Sequence, residues 1–205
     1  MSSKKVTVLC MVIVTLFVAS FASKASAQTF EVNVVPSTDQ IAIDEEVIVN
    51  VTVAGVTTPG IYGFELKLYY NNTLLNATHA EMPTGHFLTP SLSPGNIFPV
   101  DPGTIVADEG YVSFAATLLG TEPGKTGSGT LVTVTFKGLA MGDSSLWLPD
   151  ADLILVDPDA VPIDPENYTN TPSTVEIVPE FALIALTVAL MGMSAAAVVL
   201  KKKLK

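Results

Sequence analysis

Arginine is absent from this chain, and the only cysteine is Cys10. Of the ten basic residues, seven (Lys4, Lys5, Lys24, Lys201, Lys202, Lys203 and Lys205) sit in the two terminal segments. The middle keeps Lys67, Lys125 and Lys137 against nearly all of the twenty acids. A middle this acidic repels phosphate backbones and anionic head groups, so nucleic acid is excluded as a partner. The histidines are His79 and His86. A zinc site wants three or four N, S or O ligands, and a third histidine is missing. Neither histidine sits near a nucleophile turn, and Ser128 in Gly127-Ser128-Gly129 reads as turn chemistry. Paired carboxylates for glycoside hydrolysis are not singled out among so many acids. No enzyme is expected.

Apolar residues are abundant, and two runs hold much of the excess. Lys4 and Lys5 precede the apolar stretch Val6 to Phe21, which ends near Ala25-Ser26-Ala27. Positive start, apolar middle and small-x-small site are the order of a secretory signal peptide, assigned to residues 1–27. Cleavage there removes Cys10, so the mature chain has neither disulfide nor thiol chemistry. The second run is Phe181 to Leu200, without a charge, followed by the terminal lysines. At about 1.5 Å per residue, twenty residues span a hydrocarbon core of about 30 Å. Lysines after such a span belong on the cytoplasmic side. Residues 179–205 therefore read as a transmembrane tail with a cytoplasmic lysine cluster. Residues 28–178 face outward. Between Val178 and Phe181 almost no linker remains, so the domain stands on the bilayer by its C-terminal end.

The outward part reads as strands and turns. Tyr62, Phe64, Leu66, Leu68 and Tyr70 fall on one face of a run whose other face is Gly63, Glu65, Lys67 and Tyr69. Alternation with period two makes a half-buried strand. Phe30 to Val34, Val47 to Val53, Tyr111 to Leu118, Leu131 to Lys137, Ser145 to Leu148, Leu153 to Val156 and Thr174 to Val178 follow the same reading. Pro59-Gly60, Pro94-Gly95, Pro102-Gly103, Glu109-Gly110, Pro123-Gly124 and Gly142-Asp143 punctuate them as turns. Leu74 to Met82 has room for a short helical turn, and Met82 to Gly110 reads as irregular crossovers around a short strand. Many short strands between turns give an all-β class, sandwich or barrel. About 150 residues bury roughly 68–70% of their unfolded surface, enough to fold without disulfides. Trp147, between Leu146 and Leu148, is read as packing rather than as a sugar platform.

Four stretches, taken in order, resemble the cohesin family. They are Phe30 to Val35 with Glu46 to Val53; Ile61 to Asn71 followed by Leu74-Leu75; Gly127 to Lys137; and Leu153 to Ile163 before the closing strand Thr174 to Val178. The resemblance implies a jelly-roll β-sandwich of about nine strands. It implies a non-catalytic surface module that binds a dockerin-type or surface-layer protein and so links polysaccharide-degrading or adhesive components to the envelope. In that family partner recognition uses one sheet face with a carboxylate in the third strand, and Glu65 falls near that position. Direct polysaccharide binding and a structural, glycosylated surface-layer role are the alternatives. The tail has its own likeness. Pro179-Glu180-Phe181 before the apolar span looks like the archaeal Pro-Glu-Phe sorting signals, at which the tail is cut and replaced by lipid.

Modification and metal sites complete the reading. Asn50, Asn71, Asn76 and Asn167 open glycosylation sequons. Asp157 and Asp159, within the acidic stretch Asp150 to Glu166, are the candidate Ca²⁺ ligands. Their spacing lacks the pattern and the glycine of an EF-hand loop, so a solvated acidic loop is preferred and no cofactor is expected.

Overall fold

The computed structural model describes residues 29–89 and 96–180. The signal helix expected over 1–27 and the membrane-spanning helix expected from Phe181 onward lie outside these residues. Among the described residues no helix is long and apolar enough to cross a membrane.

The described chain is all-β. Its strands are β1 (Phe30–Pro36), β2 (Gln40–Ala42), β3 (Glu46–Ile61), β4 (Gly63–Tyr69), β5 (Leu75–Glu81), β6 (Ile97–Val106), β7 (Tyr111–Leu118), β8 (Lys125–Gly138), β9 (Gly142–Leu146), β10 (Leu153–Val156), β11 (Tyr168–Thr171) and β12 (Ser173–Val178). Strands β11-β1-β3-β8-β5 make one sheet, β10-β4-β7-β6 a second, and β2-β12-β9 a third. Pairing is antiparallel except for β1 with β11 and β12 with β2. The count exceeds the expected nine because short pieces join the edges: β2 has 3 residues and β10 and β11 have 4 each.

Alternation explains how the two larger sheets face each other. From β3 come Val47, Val49, Val51 and Val53, and from β8 come Val132, Val134 and Phe136. Across from them stand Phe64, Leu66 and Leu68 of β4 and Val112, Phe114 and Leu118 of β7. All belong to one continuous core. Tyr70 meets Phe136 edge-on across it, with ring centroids 4.9 Å apart. Burial of β-branched and aromatic side chains on both inner faces supplies the stabilisation that disulfides supply in smaller secreted domains, about 1.5–3 kcal/mol for each fully buried side chain.

Two features differ from the sequence expectation. Leu74 closes a turn, but Leu75–Glu81 is a strand on β8 rather than a helical turn. It is an edge strand with a register shift between Ala77 and His79, so its alternation is imperfect. The Pro-rich stretch holds a full ten-residue strand, β6. It lies at the edge of its sheet, where Pro99 and Pro102 need donate no ladder hydrogen bond. Register shifts flank Asp101, and its carboxylate ties the irregular strand down. One oxygen accepts from Gly103 N (3.1 Å) and Thr104 Oγ1 (2.9 Å), the other from Ser113 Oγ (2.6 Å). At the far end of β3, Gly60 has φ +88 and a Cβ there would lie 2.6 Å from the Gly124 backbone, so the close approach of the two chains requires glycine.

Candidate functional site

The outward face of the sheet β10-β4-β7-β6 is the most distinctive surface among the described residues. Pleating sends Phe64, Leu66 and Leu68 inward and Glu65, Lys67 and Tyr69 outward. Register then fixes their neighbours. Glu65 lies between Ile154 on β10 and Ala115 on β7. Lys67 is opposite Ser113 and Tyr69 opposite Tyr111. Around Glu65 the small residues Gly63, Ala115 and Thr117 leave a shallow groove of about 230 Å³, walled by Ile154 and Val100. Those two walls are 42% and 61% exposed, and Phe98 stands exposed beside them. An acidic group surrounded by exposed branched apolar side chains is suited to burying apolar surface against a partner while fixing its register through one charge.

Further along β4 the same face turns aromatic and polar. Trp147 bridges to Tyr69, and the two rings stack with centroids 5.6 Å apart. Tyr111 continues the row at 5.3 Å from Tyr69. Lys67 Nζ donates to Asp152 Oδ1 (2.8 Å), and Tyr69 Oη donates to Asp152 Oδ2 (3.0 Å). The Lys67 ammonium lies 5.5 Å from the Tyr111 centroid, within cation–π range. The hydrogen bond to Asp152 raises the Lys67 pKa, and the hydrogen bond from Lys67 holds the Asp152 carboxyl below its ordinary range. Desolvation, with the Asp152 hydrogen bond second, raises the Tyr69 phenol. Lys67 is thus turned toward Asp152 on the loop before β10, and the side chain of Glu65 is exposed.

The other sequence-predicted residues are scattered. Asn50 is half-buried in β3, and its Oδ1 accepts from Thr133 Oγ1 (2.8 Å). Asn71 is exposed in the turn after β4, where its Oδ1 accepts from Thr73 N (3.0 Å) and Thr73 Oγ1 (2.7 Å). Asn76 lies on β5, and Asn167 lines a second groove of about 390 Å³ with Thr57, Thr58, Asp157 and Asp164. The carboxylates of that groove hold turns. Asp157 Oδ1 accepts from Asp159 N and Val161 N (both 2.9 Å), and Asp164 Oδ1 accepts from Glu166 N (3.0 Å). Asp157 and Asp159 share one Asx-type turn and are not brought together with a third ligand; among the described residues no group of three or more His, Cys, Asp or Glu is placed to hold a metal. Pro179 and Glu180 are exposed after β12, and Phe181 lies outside the described residues.

Sequence reading missed the groove walls. Of the two packing positions open to Trp147, core or sheet surface, it takes the second, stacked on Tyr69 and 38% exposed, because Ser144, Leu146 and Leu148 take the inward positions. The signal for the groove was Leu153-Ile154-Leu155: an apolar residue at the outward position of a two-faced strand.

Comparison with known proteins agrees with this architecture. The family model described as the cohesin domain matches residues 31–147. Among solved structures, a type II cohesin domain from the cellulosome of Acetivibrio cellulolyticus is 19% identical with a TM-score of 0.58, covering 72% of this chain and 95% of that one. A chain of a type I cohesin–dockerin complex from Clostridium thermocellum is 15% identical with a TM-score of 0.54, covering 74% of this chain and 100% of that one. Type II cohesin A11 from Bacteroides cellulosolvens is 15% identical with a TM-score of 0.55, covering 72% and 99%. No curated protein matches. With more than half of its residues under the family model, this chain belongs to the cohesin-domain family.

Proposed function

We propose that the chain is a non-catalytic binding module that recognises a dockerin-type protein through the outward face of β10-β4-β7-β6. The carrying observation is the groove around Glu65, with Ile154 and Val100 exposed at its walls. Support comes from the family and from the complexes with dockerins that related folds form. In this reading the domain faces outward after removal of residues 1–27, and the segment from Phe181 holds it to the membrane, by its apolar span or by lipid after cutting at Pro179-Glu180-Phe181. The partner then carries the polysaccharide-degrading or adhesive component, and the module supplies its attachment. A stable complex of this kind buries about 800 Å² on each side, which exceeds the groove and takes in Phe98 and the aromatic row.

The test is calorimetry of the full chain, in detergent, with a dockerin module as probe. Ile154→Asp places a carboxylate at the interface centre and is expected to weaken binding by a factor of ten or more, while Ile48→Asp on the opposite sheet leaves it unchanged. Equal loss from both, or no binding by the unaltered chain to any dockerin module, overturns the proposal.

A second reading, direct polysaccharide binding, has one observation in its favour. Trp147 exposes part of its ring on the same face, next to Tyr69 and Tyr111. Stacking covers one side of that ring, so the exposed aromatic area is small. A glycan array with the unaltered chain and with Trp147→Ala separates the readings, since glycan binding lost only in the variant favours this one.

A further inference from the structure

One end of the sandwich carries exposed apolar side chains that neither the core nor the groove uses. The connection from β8 to β9 is Leu139-Ala140-Met141. Leu139 is 46% exposed and Met141 60% exposed. The connection is well held: Leu139 N donates to Leu74 O (2.8 Å), and Gly142 packs against the Leu74 side chain. Two bulky apolar side chains at the tip of a firm turn, without a partner in the domain, call for a partner outside it.

The pairing of β12 says where this tip points. Ile177 is opposite Gly142 on β9, and Val178 is opposite Ala42 on β2. Extending that register by one residue sets Val178 beside Met141. The last strand of the domain therefore leaves the fold at the tip itself. The uncharged run begins at Phe181, three residues on. Three extended residues reach at most about 10–11 Å. If Phe181 enters the hydrocarbon, the tip cannot stand clear of the head groups.

We propose that Leu139 and Met141 seat in the lipid bilayer surface, so that the domain rests on the membrane by this turn as well as by its anchor. The inference depends on the membrane attachment proposed above. Charge sets the depth. Asp44, Glu45 and Asp143 are exposed around the tip, and among the described residues Asp44 has a cation on it, Lys137 Nζ at 2.8 Å. Carboxylates are costly in hydrocarbon, so contact stops at the level where Leu139 and Met141 are covered and these groups remain wet. Two contacts fix the tilt that a single tether leaves free. The Glu65 groove, on the sheet's outward face rather than at this end, stays open from the side.

The experiment uses the chain as it stands after removal of residues 1–27, which contains no cysteine, with one new cysteine, Leu139→Cys, Met141→Cys or, at the opposite end of β7, Leu119→Cys. Each is nitroxide-labelled and reconstituted into phosphatidylcholine vesicles. Vesicle flotation reports attachment. Collision of the label with dissolved oxygen, which enters lipid, against a water-soluble nickel chelate reports where the label sits. The expected result is flotation of all three, with oxygen-to-nickel accessibility several-fold higher at 139 and 141 than at 119. Flotation with all three labels equally open to nickel overturns the tip contact and leaves the attachment standing. Failure to float overturns both.

Discussion

The two outward sheet faces of this domain are built on the same pleat and finished in opposite ways. On β11-β1-β3-β8-β5 polar pairs alternate with single exposed apolar residues: Asn33 meets Thr52 and Asn50 meets Thr133, Val35 and Ile48 are exposed opposite Asn50 and Thr135, and two sequons open there, at Asn50 and Asn76. On β10-β4-β7-β6 the outward positions carry Ile154, Val100, Ala115 and Tyr111 around two charged groups, Glu65 and Lys67. Inside, the sheets are interchangeable in kind, each presenting valine, leucine and phenylalanine to a shared core. Folding thus asks the same of both sheets, and the second gathers its exposed apolar side chains around a groove while the first leaves Val35 and Ile48 among polar neighbours.

The largest effects come from the interior, where the faces should behave alike. Phe114→Ala on β7 and Phe136→Ala on β8 are each expected to cost about 3–5 kcal/mol in denaturant unfolding of the full chain. A cost confined to one of them would mean the sheets do not share a core. The next effect separates the faces. Val100→Asp is expected to weaken dockerin-probe binding by a factor of ten or more with little change in melting temperature, whereas Val35→Asp on the other sheet changes neither. Loss of binding from Val35→Asp would show that the wrong face has been chosen.

A smaller effect concerns charge on the outward face of β10-β4-β7-β6. The Asp152 carboxyl is lowered, so its stabilisation is present above its unfolded pKa of about 3.9 and is lost as pH falls through the lowered folded value. Lys67 is raised, so its share is full below about pH 10.4 and is lost as pH climbs through the raised folded value. Between those limits the pair is flat. Asp152→Asn should remove the acid-side difference seen by thermal unfolding, and a persisting difference would move it to another carboxylate. Smallest in energy is the mark of modification. Glycopeptide mass spectrometry of the protein from its native cells is expected to find glycan on Asn71, exposed in a turn, and Asn76, on an edge strand, in preference to Asn50, whose amide is engaged by Thr133 in the middle of a sheet. Full occupancy at Asn50 would show that attachment precedes folding.

Much of this was legible in the sequence, and the limits have physical causes. The alternation from Tyr62 to Tyr70 placed Glu65, Lys67 and Tyr69 on one face, since period two admits no other arrangement in a half-buried strand. Turn residues bounded the strands except at β6, where prolines that break a central strand are harmless on an edge, and at Pro59-Gly60, which lies within the irregular end of β3 rather than in a turn beyond it. The start of β9 was misjudged for a different reason. Ser144 is fully buried, its Oγ accepting from Asn71 N (3.2 Å), so a polar residue occupies an inward position and the visible pattern begins at Ser145 rather than at Gly142. The groove was not legible because it depends on which strands lie side by side. Ile154 and Val100 are far apart in the chain and meet only through β4 and β7. Glu65 was found by its place in one strand; its walls required the sheet.

Backbone hydrogen exchange of the full chain, alone and with a bound dockerin module, tests the central claim most directly. The expected result is added protection on Gly63–Tyr69, Tyr111–Leu118 and Leu153–Val156, with β1, β3 and β11 unchanged. Protection falling instead on those three strands, or on none of the chain despite binding, would contradict the assignment of the groove around Glu65 as the site of recognition.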